Sequence, residues 1–197
     1  VFYGGQFHPV TLNGRRDMPI GAGGRVTTDP LEIELIEGEV IQVSFYLKEF
    51  TLMRSVVFAC GPLSEGLYAN GDETETIHID IDTSRKTHLF YFLSNVSVLT
   101  SGNNRAIVCY GDSITAQDWP DYLTMRCIDE GHKNTAIIRR ATSGSRILRQ
   151  YECIVYESYG LKGENRFDHE IPHTDGADTV LIQQGINDII HPVGTEV

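Results

Sequence analysis

Up to about Asn104 the apolar positions recur with a period of two. LEIELI (31–36), VIQVSFYL (40–47), SVVFAC (55–60), IHIDID (77–82) and LFYFLSNVSVL (89–99) alternate or run apolar. Turn residues such as Glu37-Gly38 and Asn70-Gly71 separate them. Successive side chains of a strand face opposite sides, so this pattern predicts short antiparallel strands stacked as a jelly-roll-like β-sandwich over 1–103. SGNN (101–104) is a polar, glycine-containing break and the predicted domain boundary.

Beyond that break strands and helices alternate. AIVCY (106–110), TAII (135–138) and TVLIQQ (179–184) read as buried strands. Asp118 can cap a helix with Pro120 in its first turn, with Trp119, Leu123 and Cys127 on one face and Gly131 as its stop. A second helix is predicted to carry Ile147, Leu148, Tyr151 and Ile154/Val155, ending before Gly160. Strand–helix–strand–helix–strand implies a parallel sheet within an α/β domain over 104–197.

Composition narrows the partners. The formal charge is −11 and no Lys/Arg-rich stripe exists, which argues against nucleic acid. No apolar run approaches the ~18 residues of a membrane span. Cys60, Cys109, Cys127 and Cys153 form no C-x-x-C pair; Cys109 in an apolar run and Cys127 on a predicted helix read as buried small hydrophobes, which favours a reducing, cytoplasmic compartment. The chain opens VFYGG without Met, so a secreted origin with a removed leader stays open.

Ligands of parallel sheets gather at the carboxyl ends of the strands. Three polar clusters fall there: Gly111-Asp112-Ser113-Ile114, Thr142-Ser143-Gly144-Ser145-Arg146 and Gly185-Ile186-Asn187-Asp188. A serine on a strand-to-helix corner is exposed for attack, and its own N–H lies at a helix start. Gly144 lets its N–H approach a substrate oxygen, and the Asn187 carboxamide can donate a third bond, which together would make an oxyanion hole. Singly, each has a plainer reading. Gly-Asp-Ser is a common turn, Gly144 a tight bend, and Asn187 or Asp188 a helix cap. Ser143 and Ser145 read as solvated loop residues.

Taken together, IVCYGDSIT resembles the first block of the GDSL, or SGNH, hydrolases, SGSRIL their second and QQGINDI their third, over most of 106–190. The stretch from Thr27-Thr28-Asp29-Pro30 to FLSNVSVL resembles, more loosely, the β-sandwich that precedes the catalytic domain in a bacterial subgroup. The resemblance implies a flavodoxin-like three-layer α/β/α fold of strand order 2-1-3-4-5. It also implies ester hydrolysis without metal or cofactor, with Ser113 as nucleophile and Gly144 and Asn187 as oxyanion donors. The substrate would be a small-molecule or carbohydrate ester. Asp112, Arg146, Asp188 and His191 are candidate substrate contacts. Asp112 also suits a loop-organising acceptor, and Arg146 a surface arginine. Where the family's second block commonly has an Asn and an extra Gly, Arg139 and Ala141 stand here.

The family supplies its base from an Asp-x-x-His block after the last strand, and none of the seven histidines matches it. His8, His78 and His88 lie in the sandwich region, His132 at a helix end, and His169 and His173 before the third strand. His191-Pro192 is at the correct end but reads more readily as a loop contact. The sequence is therefore expected to be a piece of a longer protein, cut at both ends. The rest of its chain would complete the sheet and the triad. Two other classes compete: a carbohydrate-binding or structural protein that has lost its catalytic machinery, and a nucleotide-binding flavodoxin-like domain. The latter is disfavoured because no Gly-rich phosphate loop follows the first strand.

Overall fold

A strand apolar on both faces is stable only when something covers both faces. AIVCY meets that condition in the computed structural model, which describes residues 1–52, 56–80, 82, 84–100, 102–151 and 160–191. The chain divides into two units, Val1–Thr51 with Ala69–Arg85, and Leu52–Tyr68 with Lys86–Val197. This division differs from the predicted break at 101–104: residues 52–68 and 86–103 group with the α/β part.

In the first unit, β1 (Phe2–Tyr3) and β2 (Gln6–Phe7) form a hairpin that buries Phe2 and Tyr3. An isolated bridge joins Phe2 to Gln42. The Asp29 carboxylate gathers the Thr11 hydroxyl and the N–H groups of Asn13 and Gly14, bonds that hold its pKa below the usual carboxylate value. Of the predicted strands, LEIELI forms none and VIQVSFYL contributes only the Gln42 bridge. IHIDID shows no strand among its described residues. Val40 and Phe50 are 84% and 94% exposed. Alternation supplies an apolar face, but a ladder also needs a partner backbone.

In the second unit, β3 (Val57–Phe58) pairs antiparallel with β6 (Leu89–Phe90). Between them in sequence, β4 (Gly66–Ala69) pairs with β5 (Ser84–Thr87), each of which contains a boundary of the two units. The described residues of 1–103 thus form three two-stranded ladders.

The larger sheet is parallel, with β7 (Arg105–Gly111) between β8 (Thr135–Ala141) and β9 (Ala177–Gln183). In chain order that is second–first–third, and the domain is α/β. α1 (Ser113–Ala116) and α2 (Trp119–Asp129) follow β7, α3 (Gly163–Glu170) precedes β9, and α4 (Ile186–Ile190) follows it. Arg139, the register partner of Cys109, pairs with Asp121 on α2, whereas Tyr110 meets Phe167 on α3 ring to ring at 5.5 Å. Neighbouring residues of a strand face opposite ways, so α2 and α3 cover opposite faces. Val108 and Cys109 are fully buried there, and a buried valine stabilises by about 1.5–3 kcal/mol.

α2 starts and stops where its sequence signals stand, with Pro in its first turn and Gly131 just beyond it at φ +82°, though the Asp118 side chain makes no capping bond. The second predicted helix is not seen among its described residues. Ile147 to Tyr151 are not helical, Cys153 and Ile154/Val155 lie outside the described residues, and the helix described between β8 and β9 is GENRFDHE. That segment is mostly polar and turns Arg166, not an apolar stripe, inward, so apolar periodicity passes over it. Cys60, Cys109 and Cys127 are free thiols, and no helix among the described residues is long and apolar enough to cross a membrane.

Candidate active site

Parallel register brings the three clusters together. Gly111, Ala141 and Gln183 stand side by side at the carboxyl ends of β7, β8 and β9. Only glycine fits at 111: a Cβ there would lie 2.2 Å from Thr115 Oγ1 and 2.4 Å from the Gln183 carbonyl oxygen. The fully buried Thr115 hydroxyl donates to Gln183 Oε1 at 2.7 Å, which ties the first cluster to the third strand.

Asp112 is 1% exposed and caps α1, its carboxylate accepting from Ile114 N–H at 3.1 Å. That geometry fits the loop-organising role and turns the carboxylate away from solvent. Ser113, half-buried, opens α1, and its hydroxyl has no hydrogen-bond partner among the described residues. None of the histidines is bonded to it among those residues.

In the second cluster Ser145 N–H donates to Thr142 O at 3.2 Å, closing a four-residue turn. The third residue of that turn, Gly144, has φ +78°, a conformation that favours glycine. Ser145 is buried rather than solvated. Its hydroxyl accepts from Arg166 Nη1 at 3.0 Å and from Gln184 Nε2 at 2.9 Å. Arg146 is also buried, not a surface arginine. It donates to the carbonyls of His191 at 2.9 Å and Gln150 at 3.1 Å, and it stacks 4.0 Å over the Tyr151 ring.

The third cluster clamps the second. Asn187 Nδ2 donates to Ser145 O at 3.0 Å, and the Asp188 carboxylate accepts from Ile147 N–H at 2.8 Å and Leu148 N–H at 3.3 Å. His191 is exposed; its carbonyl, not its imidazole, holds Arg146, and its ring lies edge-on to Tyr151. Pro192 lies outside the described residues.

Sequence patterning missed Arg166. Its guanidinium pairs with both oxygens of Glu170 and stacks 4.9 Å over the Tyr110 ring, whose hydroxyl donates to Gly163 O. The signal was present as an Arg–Glu pair four residues apart on one helix. Burial pushes the Tyr110 phenol up to about 12 and the Cys109 thiol up to about 11. Asp121 was also passed over. It accepts from Arg139 at 2.6 Å and from Leu63 N–H at 2.9 Å, which ties Leu63 to α2.

Fold and strand-end geometry define an α/β protein whose chemistry-bearing loops gather at the carboxyl edge of a parallel sheet. No protein-family profile matches the chain, and no curated protein matches it.

Proposed function

We propose that the chain carries the nucleophile and oxyanion donors of a serine esterase of the GDSL/SGNH kind. The observation that supports this reading is the common register of Gly111, Ala141 and Gln183, which gathers Ser113, Gly144 and Asn187 at one sheet end. In the reaction, Ser113 Oγ attacks the ester carbonyl carbon and its proton passes to a base. The tetrahedral oxyanion accepts hydrogen bonds from the N–H groups of Ser113 and Gly144 and from the Asn187 amide. Collapse expels the alcohol, and water then releases the acid from Ser113. The loss of one such donor typically costs ~10²–10³ in turnover.

The base belongs to the same proposal, as the imidazole of the Asp-x-x-His block that the resemblance implies, carried by the rest of the chain. So do completion of a flavodoxin-like sheet, an accessory sandwich over 1–103, and a small-molecule or carbohydrate ester as substrate, with no cofactor. The test is fluorophosphonate labelling of the full-length protein followed by peptide mass mapping. Labelling on Ser113, and loss of p-nitrophenyl acetate turnover in Ser113→Ala, are expected; full activity in Ser113→Ala defeats the proposal.

A second reading is a binding or structural protein on this fold. It draws on one observation: the Ser113 hydroxyl has no partner among the described residues. Absence of labelling from the full-length protein, with retained carbohydrate binding, would favour it.

A further inference from the structure

Arg166 is 4% exposed, and all five of its N–H bonds are used. Nε and Nη2 hold Glu170 at 2.9 and 3.0 Å. The second Nη2 hydrogen goes to Arg140 O at 3.2 Å, on the penultimate residue of β8. Nη1 divides between Gly111 O at 3.3 Å, two residues before Ser113, and Ser145 Oγ at 3.0 Å, one residue after Gly144. Ser145 in turn accepts the Asn187 amide through its carbonyl. One rigid fork therefore bonds the chain two residues before Ser113 and one residue after Gly144.

Space-filling alone does not explain this choice. A buried cation carries a desolvation penalty that an apolar side chain of similar volume avoids. What the guanidinium offers instead is a fixed, planar set of donors that holds several acceptors at set separations. Gly111 and Ser145 belong to different loops, and no apolar side chain could fix the distance between their oxygens.

We propose that Arg166, oriented by Glu170, is a positioning residue that sets the separation between the Ser113 corner and the oxyanion donors Gly144 and Asn187. This rests on the esterase reading above. Misplacement of reacting groups by about 1 Å can lower a rate ~10²-fold.

The experiment is stopped-flow acylation of the full-length protein by p-nitrophenyl acetate, with melting temperature measured alongside. The variants are Arg166→Lys, which keeps the charge but loses the fork, and Ser145→Ala, which removes the contact to the turn but leaves the Glu170 pair in place. Both are expected to lower the acylation rate constant ~10–100-fold while the substrate dissociation constant stays within about twofold. If Arg166→Lys fails to fold, Ser145→Ala decides alone. Folded variants that acylate at the native rate, whatever their melting temperature, overturn the positioning role and leave the esterase reading intact. Native turnover in Ser113→Ala overturns the esterase reading itself, and the positioning role with it.

Discussion

The Asn187 side-chain amide donates to the main-chain carbonyl of Ser145 at 3.0 Å in a buried position. One Nδ2 hydrogen is thereby fixed on the turn, which leaves the other for the oxyanion of the proposed reaction. Asn187→Ala should lower kcat/KM on p-nitrophenyl acetate ~10²-fold or more, about 2.7 kcal/mol of transition-state stabilisation. It should also lower stability by about 1–3 kcal/mol, because the Ser145 carbonyl loses its donor. Turnover and urea midpoint measured on one preparation separate the two effects. A lowered midpoint with native turnover would leave Asn187 a purely structural role.

Gly111 stands where β7, β8 and β9 end together, with a Thr115 side chain and a Gln183 backbone oxygen over it. Rotation would move Thr115 Oγ1 but not its Cβ, which lies 2.6 Å away, and Gln183 O belongs to the backbone of the neighbouring strand. Gly111→Ala should therefore destabilise by about 1–3 kcal/mol, and removal of the Thr115 side chain should not restore the loss. The comparison of denaturation midpoints for the single and double variants checks it. Full recovery in the double variant would show that the backbone yields.

The parallel strands were legible because AIVCY, TAII and TVLIQQ are continuous apolar runs, although only the central AIVCY is buried: Leu181 and Ile182 of β9 are 41% and 60% exposed. The clusters were legible because polar residues follow each strand directly. Arg166, Ser145 and Arg146 were not, because a buried polar residue looks like a surface one until its partners are known. Those partners are 21 to 45 residues away for Arg166–Ser145, Gln184–Ser145, Asn187–Ser145 and Arg146–His191. The expected strands of 31–47 alternate correctly, yet pairing depends on a partner that local pattern does not specify.

Tyr110 and Cys109 predict alkaline lability. Burial raises the phenol from its ordinary 10 to about 12 and the thiol from 9 to about 11. Each group ionises in the unfolded chain before it does so in the folded one. Their contribution to stability is therefore complete below pH 9, and it declines as the pH rises through 11 to 12. Tyr110→Phe should flatten the upper part of that decline. Urea midpoints across pH 8–12 that run parallel for native protein and variant would exclude Tyr110 as the cause.

The Arg139–Asp121 pair is 12% exposed on each side and joins β8 to α2. Asp121→Ala leaves a mostly buried guanidinium without its carboxylate and removes the acceptor of Leu63 N–H. A loss of about 3–5 kcal/mol is expected, with part of it returned when Arg139→Met is added. Chemical denaturation of the two single variants and the double variant closes the cycle. Strict additivity would mean that the pair contributes nothing as a pair.

His191 stands at the sheet end that carries the clusters, so it is the histidine of this chain most open to suspicion as a base. The geometry argues otherwise. Its carbonyl accepts from Arg146 Nη1 at 2.9 Å, a bond that any residue at 191 can offer. Among the described residues its imidazole meets the Tyr151 ring edge-to-face, with 6.3 Å between centroids. A general base must reach the Ser113 hydroxyl directly or through one water. His191→Ala should therefore keep kcat/KM within about threefold of native, since only a rim contact is removed. Loss of the base from a serine hydrolase instead lowers turnover by several orders of magnitude, to ~10³–10⁴ over the uncatalysed rate. The pH profile of kcat/KM gives a second readout: its acidic limb, set by the true base, should be unmoved in His191→Ala. A fall of a thousandfold together with loss of that limb would make His191 the base, and the Asp-x-x-His block would no longer be needed.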